Sequence, residues 1–240
     1  MPIKIAPRAT ITDEFKQVMT DIYRAKLQQY QNEAERVAES PKYYAEFIQR
    51  RGQAIAQLRA LIKDPARIDM EYTRLRTLPY TKFETVTREG YPYLYGLTKD
   101  VIIDFNGKWN MGQYGVVIPL AFFASMRLVH PDIRSTVRYW KAIQMIPMRQ
   151  MMATERTPHH TARMPYFNNT VAQVNNPLDM EPYACWGGFS PIIFACGDEC
   201  DVIELFRNIY IYLCRYDPHS PLARVNREMT ERFKFAERIE

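Results

Sequence analysis

The sequence predicts a mainly α-helical protein: an N-terminal antiparallel helical hairpin, then irregular Pro- and Tyr-rich extended segments, then C-terminal helices. Three observations carry that prediction. Apolar residues recur at three- and four-residue steps through the first 62 positions, the period of a one-sided helix. Prolines at 41 and 65 cut that pattern into helix-length pieces, because the residue before a proline avoids helical geometry. Six prolines crowd residues 147–191, where no period survives.

Residues 1–80 form the hairpin region. Phe15, Val18, Met19, Ile22, Tyr23, Leu27, Tyr30, Ala34 and Val37 share one face of a first helix, with Thr10 and Asp13 spaced as a capping box. Ser40-Pro41 ends it. Tyr44, Phe47, Ile48, Ile55, Leu58 and Ile62 stripe a second helix, closed by Asp64-Pro65. A short third helix then starts at Pro65, a favoured first helical position, and runs to Arg76.

Residues 81–146 form a mixed apolar and helical region. Tyr91–Gly96 reads as an aromatic loop, and Val101–Phe105 as an extended segment turning at Asn106-Gly107. Trp109 to Met126 has no charge in 18 residues. Asn110, Gln113 and Pro119, and its shortness, favour a buried helix or a segment pressed on a partner over a membrane span. Ile133–Met148 reads as a helix. Residues 147–191, rich in proline and aromatics, read as an extended arm laid on another surface. Residues 192–240 hold helices over Asp201–Tyr216 and over Leu222, Val225, Met229, Phe233 and Ala236.

Composition tilts toward contact surfaces. The chain has 16 Tyr, 12 Met and 16 Pro against 9 Gly, and Tyr and Met are enriched at protein interfaces. A net charge of +5, with acids and bases interspersed, excludes a nucleic-acid tail and suits an anionic membrane surface. The start lacks the apolar run of a secretory signal; Lys4 and Arg8, with no acid before Asp13, fit a matrix-directed N-terminus. Neither a phosphate-binding glycine loop nor a GxSxG or HExxH motif occurs. His159-His160 reads as a loop pair. Cys185, Cys196, Cys200 and Cys214 read first as free thiols, with one disulfide or half a metal site as alternatives. Asp198, Glu199 and Asp201 read as helix-terminus acids, with acid–base chemistry as the alternative. No catalytic, cofactor or metal site is expected.

One stretch resembles a known family. Ala54-Ile55-Ala56-Gln57-Leu58-Arg59-Ala60-Leu61 runs into Asp64-Pro65, and Ile68-Asp69-Met70-Glu71-Tyr72-Thr73-Arg74 follows. That order resembles subunit d of the mitochondrial F-type ATP synthase, with Leu58, Leu61, Pro65, Ile68, Asp69, Tyr72 and Arg74 carrying the likeness. Met70 and Thr73 stand where the family has aromatics. The resemblance implies that Asp69 opens a helix, that Ile68 and Tyr72 pack on the hairpin, and that Arg74 stays exposed. It also implies a non-catalytic peripheral-stalk subunit on the matrix side of the inner membrane. Its partners would be other subunits of a large membrane-bound complex, with lipid contact at the membrane surface. An accessory subunit of a respiratory complex and a virion or phage structural component are the alternatives.

Overall fold

A computed structural model describes residues 8–88, 91–104, 106–124, 143–148, 170–172, 182–184, 186–215 and 236–239. The N-terminal helices are present as the spacing predicts: α1 (Asp13–Val37), α2 (Pro41–Lys63) and α3 (Pro65–Thr77). The cap of α1 is Thr12, whose hydroxyl accepts from the Phe15 amide at 3.2 Å. Thr10 instead pairs, with Ile11, as a short strand, β1 (Thr10–Ile11), parallel to the next strand. Asp64 caps α3 by accepting from the Ala66 amide at 3.0 Å. α1 and α2 run antiparallel: Arg51 lies over the Tyr30 ring near the turn, and Leu58 reaches the level of Tyr23.

The helices rest on a sheet that the helical reading of the middle region omits. Its strands are β1, β2 (Tyr80–Arg88), β3 (Tyr91–Thr98), β6 (Tyr114–Pro119) and β7 (Gln144–Pro147), hydrogen-bonded in that order. All pairs but the first are antiparallel, so the sheet is mixed. The aromatic loop is therefore a central strand. Leu94, Gly96 and Thr98 are buried while Tyr93, Tyr95 and Leu97 between them are half-buried, the period of two that a pleated strand imposes. Pro92 is tolerated because β6 pairs only with Tyr93–Leu97, leaving no ladder for its missing donor on that side.

The uncharged run is likewise extended. It passes from β5 (Lys108–Asn110) into β6, whose six residues are all buried between two neighbouring strands, and ends in a 3-10 turn at Leu120–Phe122. A continuous apolar run marks a doubly covered strand as readily as a buried helix, and length decides between them. Among the described residues no helix is long and apolar enough to cross a membrane. β4 (Ile102–Asp104), β5 and β10 (Glu237–Arg238) form a second sheet, so the single extended segment expected near Val101 has partners. Gln144–Pro147 is strand where the sequence suggested helix, and Glu237–Arg238 is a two-residue strand.

Most of the proposed arm lies outside the described residues. Within it, β8 (Thr170–Ala172) pairs with β9 (Pro182–Ala184), and Trp186 is buried in the chain's own core against Tyr212, ring centroids 4.8 Å apart. That end of the arm belongs to the fold. Two helices follow, α4 (Ser190–Glu199), with Pro191 in its first turn, and α5 (Val202–Leu213). Most of the last expected helix also lies outside.

The core joins both ends of the chain over one face of the sheet. Phe206 of α5 meets Tyr80 and Phe83 edge-on at 5.3 and 5.1 Å, and Phe15 of α1 closes on Phe83 at 5.6 Å. Tyr80 donates its hydroxyl to the Phe206 carbonyl at 2.9 Å. Gly96 makes this approach fit. A Cβ there would stand 2.8 Å from the Phe206 ring.

Candidate functional site

Where α4 turns into α5, the chain meets the open ends of α2 and α3. Cys200 takes the left-handed conformation, φ 61°, that ends a helix sharply, and its amide and that of Asp201 satisfy the Cys196 and Gly197 carbonyls. Asp201 then caps α5 by accepting from the Glu204 amide at 2.9 Å. The turn faces a cleft of about 620 Å³. α1 contributes Tyr23 to it, and α2 contributes Gln57, Leu58 and Leu61. Arg67, Met70, Glu71 and Arg74 enter from α3, with Asp64 at its cap; Glu199, Cys200 and Asp201 come from the α4–α5 turn.

Its floor is apolar with buried polar tips. Leu58 is 2% exposed and Tyr23 is also 2% exposed. Burial holds the Tyr23 phenol well above its ordinary range, with Cys200, Glu71 and Asp201 adding to the effect. Burial pushes the Cys200 thiol up to about 12, with Lys26 opposing, and Cys196 also to about 12. Both thiols are protonated near neutrality and so are poor nucleophiles and metal ligands. Cys196, Cys200 and Cys214 are free thiols; Cys185 lies outside the described residues, as do all four histidines.

The rim is charged. Arg74 pairs with Glu71 at 2.8 Å and reaches Glu204 at 3.8 Å; Arg67 pairs with Asp64 at 3.6 Å. These are exposed pairs, each worth a fraction of a kcal/mol by the usual ~0–1 kcal/mol scale. Asp198 lies 3.9 Å from Arg51. Of the three neighbouring acids only Asp201 serves as a helix N-terminal cap. Asp198 and Glu199 are the last residues of α4, at its negative end.

The seven residues of the family resemblance divide. Leu58, Leu61 and Arg74 line the cleft. Tyr72 packs back on α1, donating to the Lys16 carbonyl at 3.0 Å, and Ile68 packs against the core. Pro65 opens α3. Asp69 does not: it lies exposed in mid-helix, its carbonyl accepting from Thr73, while Asp64 caps. Tyr23 and Cys200, the cleft's buried polar floor, carry no motif; the sequence shows Tyr23 only as one member of an apolar stripe.

No family model matches the chain, and neither a curated protein nor a solved structure matches it. Fold and site together define an α+β protein with a charged, open cleft.

Proposed function

We propose that the protein is a non-catalytic, interaction-forming subunit of a larger assembly. The observation that supports this best is the outward row of α2. Tyr43, Tyr44 and Ile48 are 60%, 43% and 41% exposed, within two helical turns, although the spacing of Tyr44 and Ile48 sets them on the apolar stripe with Phe47 and Leu58. Tyr44 and Ile48 are four residues apart and so share one face. Adjacent exposed Tyr and Ile side chains mark contact surfaces more than solvated ones. The cleft chemistry agrees with a binding role, since its thiol, Cys200, is protonated and Asp201 already caps α5.

The narrower reading, a peripheral-stalk subunit on the matrix side of the mitochondrial inner membrane, rests on the resemblance over residues 51–76. The fold adds nothing to it, because Leu58, Ile68 and Tyr72 already have packing roles within the chain. The test is migration of the native protein on a non-denaturing gel. The assembly reading expects a high-mass band that Tyr44→Ser with Ile48→Ser converts to free chain at unchanged melting temperature. A band containing the proton-translocating ATP synthase would support the narrower reading. A native chain that migrates alone would sink both.

A further inference from the structure

We propose that the cleft between α1–α3 and the α4–α5 turn receives a lysine or arginine side chain carried on a segment of a partner protein. This rests on the assembly role above and specifies the chemistry of one contact. Asp64, Glu71, Glu199 and Asp201 line the cleft, and its two arginines are already engaged with acids. Glu199 makes no hydrogen bond or ion pair among the described residues. As the last residue of α4 it also sits where the helix carbonyls concentrate partial negative charge, so its own helix disfavours it. A cation bound at the cleft would relieve that cost.

The floor supplies the independent observation. Tyr23 is 2% exposed, yet its hydroxyl has no hydrogen-bond partner among the described residues. It lines the cleft beside Cys200, Glu71 and Asp201. The hydroxyl is not sealed in, since the fully buried unpaired side-chain atoms among the described residues are Gln29 Oε1 and Thr85 Oγ1; it opens on the cleft with its lone pairs free to accept. The phenol stays protonated here, and its oxygen can accept from an ammonium or guanidinium while acids compensate the charge. Leu58, Leu61 and the exposed Met70 offer apolar wall for an aliphatic stem. That wall distinguishes a basic side chain on an amphipathic segment from a small, fully hydrated cation. An anionic partner would meet an acidic excess, since Arg67 and Arg74 offset Asp64 and Glu71 and leave Glu199 and Asp201 uncompensated.

Calorimetry on the full chain tests this, with an acetylated, amidated pentapeptide of alternating leucine and lysine as probe. The lysine peptide should bind at least ~10-fold tighter than its glutamate counterpart, and tighter than spermidine. Glu199→Gln, at an exposed position, should weaken it about three- to ten-fold. Tyr23→Phe, which keeps the ring, should weaken it about two- to ten-fold. Absent binding, equal affinity for the two peptides, or indifference to both substitutions overturns the proposal. Spermidine binding as tightly as the lysine peptide overturns its protein-segment part. If the peptide fails while the α2 double substitution still releases the chain from its assembly, only this inference falls; if that also fails, so does the assembly reading.

Discussion

Tyr30 of α1 donates its hydroxyl to the backbone carbonyl of Asp198, 168 residues further along the chain. The bond fastens the first helix to the end of α4, where a carbonyl has no helical partner of its own. The Tyr30 ring also has two cations near its face, with Lys26 Nζ at 5.2 Å and the Arg51 guanidinium at 5.5 Å from its centroid. Tyr30→Phe keeps the ring and strands the carbonyl. It should cost about 1–2 kcal/mol in denaturant unfolding. A loss below about 0.3 kcal/mol would mean that water satisfies the carbonyl equally well.

Leu58 tests the packing beneath the cleft. It is 2% exposed and belongs to the main core, so Leu58→Ala should cost roughly 2–5 kcal/mol. Leu61 lines the same cleft but is only half-buried, and Leu61→Ala should cost less. Equal losses at the two sites would show that the floor and wall are not ranked as described.

Gly197 sets two effects against each other. Within α4, replacing glycine by alanine ordinarily stabilises by about 1 kcal/mol. Here the new Cβ would stand 2.7 Å from the Phe122 ring and 2.9 Å from the Phe122 backbone oxygen. A ring can turn aside, but a backbone oxygen held in a 3-10 turn yields little. Overpacking costs about 1–3 kcal/mol, so Gly197→Ala should destabilise on balance. A raised melting temperature would place α4 further from that turn.

The helices of the first third were legible because polarity and geometry share a period there: Phe15, Met19 and Ile22 are fully buried, and Gln17 and Arg24 are not. The sheet was not legible, for the opposite reason. In Tyr91–Gly96 tyrosines occupy the half-buried positions between buried Leu94 and Gly96, so the strand's alternation is invisible in polarity, and Pro92 and Gly96 imitate a loop. In Val116-Val117-Ile118 both faces are covered, which erases alternation altogether. The cleft was legible only as fragments. Leu58, Leu61 and Arg74 fall in the stretch that resembles subunit d, while Tyr23 and Cys200 meet only through tertiary packing of opposite ends of the chain.

Lys26 gives a prediction whose sign can be worked out. It is 4% exposed, and its ammonium makes no hydrogen bond or ion pair among the described residues, lying 5.2 Å from the Tyr30 ring centroid with its tip still touching solvent. Burial lowers its pKa from the ordinary 10.5; Cys200 and Asp198 oppose the shift and Arg51 assists it. With the folded value below the unfolded one, the unfolded chain binds the proton more tightly. The cost of the buried charge is therefore complete below the folded pKa, shrinks as pH rises, and vanishes above about 10.5. The cation–π contact returns about 0.5–2 kcal/mol, yet the lowered pKa shows that the partial desolvation of the ammonium outweighs what its neighbours return. Lys26→Met keeps the stem and removes the charge, so at pH 7 it should stabilise the fold by about 1 kcal/mol, or ~2–4 °C. That advantage should diminish between neutrality and about pH 10.5. Tyr23 and Tyr80, whose phenols burial raises, impose a loss of stability above about pH 10, common to both proteins, and it cancels in their difference. Parallel thermal melts from pH 6 to about pH 10 would read the difference directly. A variant less stable than the parent at pH 7 would show that the ammonium over Tyr30 holds α1 in place more strongly than its burial strains it.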